Sequence, residues 1–187
     1  MDPRKKWNNK YRERITNHEQ PAANERLKTI SPYLTGGDAL DVACGLGVNS
    51  TFLAKLDFRV DALDISDVAI DYLKKLADKE KLTIYPRLCD LTDLNNLHLK
   101  EKSYDLVVIT YYLDRNLLQY IKTVIKDNGY FFMETFYKSP LQEKEGISNQ
   151  FKLQPGELLS LYKEMQILYY EENEHEGRQT IFVRKKT

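Results

Sequence analysis

The chain has 187 residues, close to one domain at about 150 residues each, and 42% of them are hydrophobic, enough for a core and too many for a disordered chain. Lysine and arginine total 28, as do aspartate and glutamate, and the resulting net charge of zero removes the usual electrostatic case for a nucleic-acid partner. The opening residues are polar and charged, and no window approaches about 18 uninterrupted apolar residues, so neither a secretory leader nor a membrane span is expected. Cys44 and Cys89 are the only cysteines. Both lie in apolar segments, which suits a reduced, cytoplasmic protein without by itself excluding a bridge. His18, His98 and His175 are far apart and neither cysteine has ligand-like spacing, so no metal site is expected.

In chain order, Arg4, Lys5, Lys6, Lys10, Arg12 and Arg14 alternate with Trp7, Tyr11 and Ile15. That pattern fits an amphipathic cap or an ordinary solvated terminus. Pro21 opens a helix with Leu27, Ile30 and Leu34 on one face, closed by Gly36 and Gly37. Residues 1–34 then form a helical cap and 35–187 the sheet core of a single domain. Strands are expected at 39–43, 58–64, 82–88, 104–110 and 130–135, with Pro86 marking an edge. Between them lie helices at 50–56, after a Ser66 N-cap through Leu76, and at 117–126. This alternation predicts an α/β fold, a parallel sheet with helices on both faces. Residues 135–154 read as a long polar loop, followed by a helix at 155–162 and a hairpin of 166–172 and 179–185, which adds an antiparallel strand.

The run Asp41-Val42-Ala43-Cys44-Gly45-Leu46-Gly47-Val48-Asn49 joins the first strand to a helix. Gly45 permits a sharp turn, and Gly47 lets backbone approach a ligand near the helix start. Asp64, 19 residues after Gly45, ends the second strand, where a carboxylate accepts from ribose hydroxyls. Asp90 follows the third strand. It accepts from an adenine amine, with the Leu91 amide on a ring nitrogen, or it caps its own loop. A dinucleotide site uses three glycines around a pyrophosphate, and here Val42 and Ser50 stand three residues either side of the glycine pair. Asp41 would repel a pyrophosphate but attract the ammonium of an S-adenosylmethionine tail.

At these residues the chain resembles the class I S-adenosylmethionine-dependent methyltransferases, within the small single-domain group of tellurite-resistance and thiopurine methyltransferase-like proteins. The likeness also rests on Trp7-Asn8-Asn9-Lys10-Tyr11, Val60 to Ser66, Tyr112-Leu113-Asp114-Arg115, Glu134-Thr135-Phe136 and Leu153 to Leu158. It implies a Rossmann-like sandwich with a seven-stranded, mostly parallel sheet and one antiparallel strand. It also implies S-adenosylmethionine as cofactor, bordered by Asp41, Gly45, Gly47 and Asn49 at the methionine end, Asp64 and Ile65 at the ribose, and Asp90 and Leu91 at the adenine. Trp7 and Tyr11 either close over that cofactor or pack without touching it. Relatives often carry arginine where this chain has Val48 before Asn49.

The acceptor wall is expected just after the fourth strand. Tyr111 and Tyr112 bracket a small acceptor or simply end a strand, in a chain with 13 tyrosines. Arg115 binds an anionic acceptor or, by preference, pairs with Asp114 or Glu134; Glu134 is a base, an orienting acceptor or half of an ion pair. No Pro-Pro-aromatic run of the kind associated with amino-group methylation follows that strand, and no nucleophile-elbow motif supports a hydrolase. The expected reaction is methyl transfer to a small molecule, such as a thiol or chalcogen compound, by a monomer or homodimer. The alternatives are a noncatalytic cofactor-binding module and a nicotinamide-dependent oxidoreductase.

Overall fold

The computed structural model describes residues 2–141 and 146–187. Seven strands form one sheet in the order Ile84–Leu88, Phe58–Asp64, Gly37–Val42, Tyr104–Thr110, Ile125–Phe136, Arg178–Arg184, Gln166–Asn173, and the chain divides into two compact units, residues 1–98 and 99–187.

In the first unit, helix α1 (Pro3–Thr16) starts where the Asp2 side chain accepts from the Arg4 amide and Pro3 occupies a first-turn position that needs no donor. Helix α2 is only Glu25–Thr29. It begins at Asn24 rather than Pro21, because the Asn24 carboxamide accepts from the Arg26 and Leu27 amides. It gives way to a 3-10 turn, Ser31–Tyr33, around Pro32, which cannot supply the next helical amide. Strands β1 (Gly37–Val42), β2 (Phe58–Asp64) and β3 (Ile84–Leu88) run parallel. Helix α3 (Val48–Ala54) follows β1, and α4 (Asp67–Glu80) follows β2 from its Ser66 cap. Leu40, Val60, Leu63, Leu53 and Leu73 are fully buried between sheet and helices. β3 is an edge strand, where the missing amide of Pro86 is tolerated.

In the second unit, β4 (Tyr104–Thr110) pairs in parallel with β5 (Ile125–Phe136). Helix α5 (Arg115–Val124) starts two residues earlier than the apolar pattern indicates, because Asp114 accepts from the Asn116 and Leu117 amides. β5 starts at Ile125, directly after the helix, and not at Tyr130. Helix α6 is Glu157–Leu161. β7 (Arg178–Arg184) lies antiparallel to both β5 and β6 (Gln166–Asn173), so the final hairpin inserts one reversed strand as expected. Phe131 stacks on Tyr162 at 4.6 Å inside this unit's core. Within the expected 135–154 loop, Tyr137 bridges Leu153 in parallel and Asn149–Phe151 form a 3-10 turn, while residues 142–145 lie outside the described residues. Among the described residues no helix is long and apolar enough to cross a membrane.

Candidate functional site

The five residues between β1 and α3 include three in the left-handed region: Ala43 at φ 56°, Gly45 at 55° and Gly47 at 78°. The strain at Ala43, of order 1 kcal/mol for a residue with a Cβ, is held by neighbouring backbone bonds. The Cys44 amide donates to the Leu63 carbonyl at 2.9 Å and the Gly47 amide to the Cys44 carbonyl at 3.0 Å. Burial pushes the Cys44 thiol up, so it stays protonated.

Two carboxylates lie beside this turn. Asp64 is buried; its Oδ2 accepts from the Gly45 amide at 2.8 Å and its Oδ1 from the Ser66 amide at 2.9 Å. It thus ties the glycine turn to the start of α4. Asp41, also buried, accepts the Ser50 hydroxyl proton at 2.6 Å. Burial raises Asp41 to about 7 against the pull of Ser50, and Asp64 pushes it further. Asp64 is likewise raised by burial, with the Ser66, Gly45 and Ile65 amides opposing. Among the described residues neither acid forms an ion pair; the groups bonded to them are the Ser50 hydroxyl and backbone amides.

Tyr11 of α1 is buried against the same turn. A methyl group at Gly45 would meet the Tyr11 hydroxyl at 2.8 Å and its ring at 3.3 Å. Trp7 stacks on Tyr11 at 5.7 Å, and Tyr11 clusters with Leu46 and Ala69. Burial, then Asp64, pushes the Tyr11 phenol far above its ordinary range. The charged amino-terminal run is therefore a helix docked by one face, not a solvated terminus.

The other expected cofactor residues are placed differently. At Gly47 the close approach is made by Leu73, whose methyl would lie 2.3 Å from an added Cβ, so that glycine serves helix packing. Asn49 is buried and accepts from the Asn24 amide at 2.9 Å, anchoring α2. Ile65 is half-buried directly after Asp64, and Leu91 is buried. Asp90 is exposed and accepts from both the amide and hydroxyl of Thr92, at 3.0 and 2.7 Å, which is the loop-capping arrangement.

In the second unit, Tyr111 follows β4 with φ 56°, a conformation rare for an aromatic residue, and the residue is 44% exposed. Its hydroxyl donates to Glu134 Oε1 at 2.6 Å and accepts from Arg178 at 2.6 Å. Glu134 is fully buried. Its Oε2 accepts from Thr180 at 2.9 Å, and Arg178 also reaches Oε1 at 3.2 Å. Burial and the bond to Glu134 push the Tyr111 phenol up to about 12. Tyr112 is half-buried. Arg115 pairs with neither Asp114 nor Glu134: its guanidinium makes a two-pronged bond to Glu157, at 2.7 and 3.0 Å. It also donates to the Gln150 and Lys152 carbonyls. Asp114 is committed to capping α5, which leaves Arg115 free to reach α6.

Sequence reading missed Ser50, Asn8, Arg178 and Thr180. Ser50 had a local signal, lying on the first turn of the helix that faces Asp41. Arg178 and Thr180 had none, because they reach Glu134 only through the β5–β7 register, in which Glu134 faces Thr180. Among the described residues no group of His, Cys, Asp and Glu is arranged to hold a metal.

A family model described as tellurite resistance protein TehB matches residues 2–181. The chain is 28% identical over 162 residues to the probable S-adenosyl-L-methionine-dependent methyltransferase TehB of Haemophilus influenzae, covering 83% of this chain and 54% of that protein. It is 29% identical over 140 residues to the ubiquinone biosynthesis O-methyltransferase of Coxiella burnetii, covering 70% and 58%. The chain thus spans little more than half the length of these curated relatives. The crystal structure of TehB from Haemophilus influenzae shares the fold with a TM-score of 0.79 at 23% identity, over 92% of this chain and 66% of that one.

Proposed function

The chain belongs to the family of tellurite resistance protein TehB, and from that membership we propose that it binds S-adenosylmethionine and transfers its methyl group to a small-molecule acceptor. One observation carries the reading. Asp41 and Asp64 are buried beside the β1–α3 turn, and among the described residues their hydrogen-bond partners are a serine hydroxyl and backbone amides, with no ion pair to either. Buried charge without a counter-charge is costly, and a cationic ligand relieves that cost where a pyrophosphate would add to it. The donor set therefore fits a sulfonium cofactor with an ammonium tail and disfavours a dinucleotide.

In this reading Asp64 holds the ribose: its carboxylate, fixed by the Gly45 and Ser66 amides at the end of β2, accepts from a sugar hydroxyl through a remaining lone pair. Asp41 faces the ammonium, Tyr11 closes over Gly45, and Asp90 and Leu91 border the adenine. The cofactor, when bound, supplies an electrophilic methyl group on a positively charged sulfur. Tyr111 and Tyr112 form the acceptor wall.

The acceptor is a soft anion such as a thiolate or a chalcogen oxyanion. Glu134 has both oxygens engaged, and the Tyr111 proton is already donated to it. Neither group serves as a base, so an acceptor that arrives ionised needs only positioning.

Calorimetry with S-adenosylmethionine, its demethylated product and NAD tests the cofactor. Binding of the first two and not the third is expected; preference for NAD would overturn the reading. Incubation of cell extract with methyl-labelled cofactor tests the acceptor. A labelled small molecule is expected, a labelled macromolecule would refute the substrate class, and binding without any turnover would leave a noncatalytic module.

A further inference from the structure

Helix α1 buries only two side chains, Asn8 and Tyr11. Asn8 uses both ends of its amide. Its Oδ1 accepts the Ser66 hydroxyl proton at 2.6 Å, and its Nδ2 donates to Asp67 Oδ1 at 2.7 Å. Arg4, one turn earlier, donates to the same Asp67 oxygen at 2.9 Å, in an exposed pair that adds little by itself. Ser66 caps α4 through the Ala69 amide, and its own amide donates to Asp64. One connected set of bonds therefore runs from Asn8 through Ser66 to Asp64, and from Asp64 to the Gly45 amide.

Residues three apart on a helix share a face, so Asn8 sets where Tyr11 lands. The apolar contacts of Trp7, Tyr11 and Ile15 with Leu46, Val68 and Ala69 hold α1 down without specifying its register. The two directional bonds of Asn8 supply that register, and asparagine suits the position because it donates and accepts at once. Aspartate would lose the donor and place like charge against Asp67.

We propose that Asn8 is a positioning residue for the cofactor site: by bridging Ser66 and Asp67 it fixes how α1 docks and so holds Tyr11 over Gly45. This rests on the reading that the β1–α3 turn receives S-adenosylmethionine. Asn8 acts through Tyr11 and touches no reacting atom.

Trp7 is the only tryptophan and stacks on Tyr11, so its emission reports α1 docking with no ligand present. In Asn8→Ala the emission is expected to move to the red, and the dissociation constant for S-adenosylmethionine to rise about tenfold. Tyr11→Ala weakens binding too, and the double variant loses no more than Tyr11→Ala alone, because both changes remove the same contact. Asn8→Asp keeps only the bond from Ser66 and is expected to shift emission and affinity in the same direction, while an unchanged far-ultraviolet circular dichroism spectrum in both variants separates undocking of α1 from a folding defect. Unchanged emission and affinity in both Asn8 variants overturns the proposal, as does full additivity with Tyr11→Ala. Failure of the unsubstituted protein to bind S-adenosylmethionine overturns the functional reading instead, and the emission shift then still decides whether Asn8 docks α1.

Discussion

In the first unit Asp41 and Asp64 are buried against a serine hydroxyl and backbone amides; in the second, Glu134 is buried against Arg178 and Glu157 is gripped by Arg115. The consequences differ in sign. Burial raises both aspartates. Burial also works against Glu157, yet Arg115 and the Gln154 amide hold its carboxyl below the ordinary value. An acid with its own guanidinium is finished structure, whereas an acid with only neutral donors keeps an unspent preference for a cation. In the proposed function, that difference separates the acids that would face a cationic ligand from those that hold their own surroundings in place.

The contrast can be broken most forcefully at Glu134. Glu134→Ala takes the buried acceptor from Tyr111 and Thr180 and leaves Arg178 its pair with Glu176, and urea unfolding should show a loss of about 3 kcal/mol. A loss below about 1 kcal/mol would mean that the acid is not structural.

A smaller effect is expected from pH on the unliganded protein. Asp41 is raised to about 7 in the fold, against about 3.9 when unfolded. The native state therefore binds the extra proton, and its stability is full below about pH 4 and falls by a few kcal/mol as pH rises through 7. Asp41→Asn should flatten that slope in thermal melts recorded from pH 4.5 to 8. A cationic cofactor opposes the same protonation, so its binding should release protons within this window, which calorimetry in buffers of different ionisation enthalpy would detect.

Gly47→Ala should cost about 2 kcal/mol, from a left-handed φ and an intrusion on Leu73. It should do so without the specific loss of cofactor affinity expected at Gly45, where the intruded group is Tyr11. The smallest effect is expected at Arg115→Ala, where the partly exposed Glu157 pair should yield about 1 kcal/mol in denaturant unfolding and leave the acceptor KM unchanged. A large rise in that KM would instead make Arg115 a substrate contact.

The elements most legible in the sequence were those with purely local causes. β2 and β4 occupy their expected spans because their own residues specify them, Phe58, Val60 and Ala62 alternating with polar neighbours in β2 and Leu106 to Ile109 forming a continuous apolar run in β4, and α4 begins at Ser66 because a hydroxyl three residues ahead of a free amide is itself the cap. α2 and β5 departed from expectation where a local competitor won: Asn24 capped a shorter helix, and β5 paired from Ile125 through residues with no apolar pattern. In the candidate site, the glycine turn and its two acids were readable from spacing along one β-α-β run. The partner of Arg115 was not, since Glu157 lies 42 residues away and is brought close only by packing.

What the sequence determined by itself was the alternation that makes the sheet, the place of the β1–α3 turn, and the two aspartates that border it, all set by neighbours within a few residues. Only the tertiary structure decided which acids acquire a cation and which do not, which residue covers Gly45, and how Asn8 joins α1 to Ser66. Those contacts join residues distant in sequence, and their energy comes from burial and hydrogen-bond geometry that no local pattern encodes.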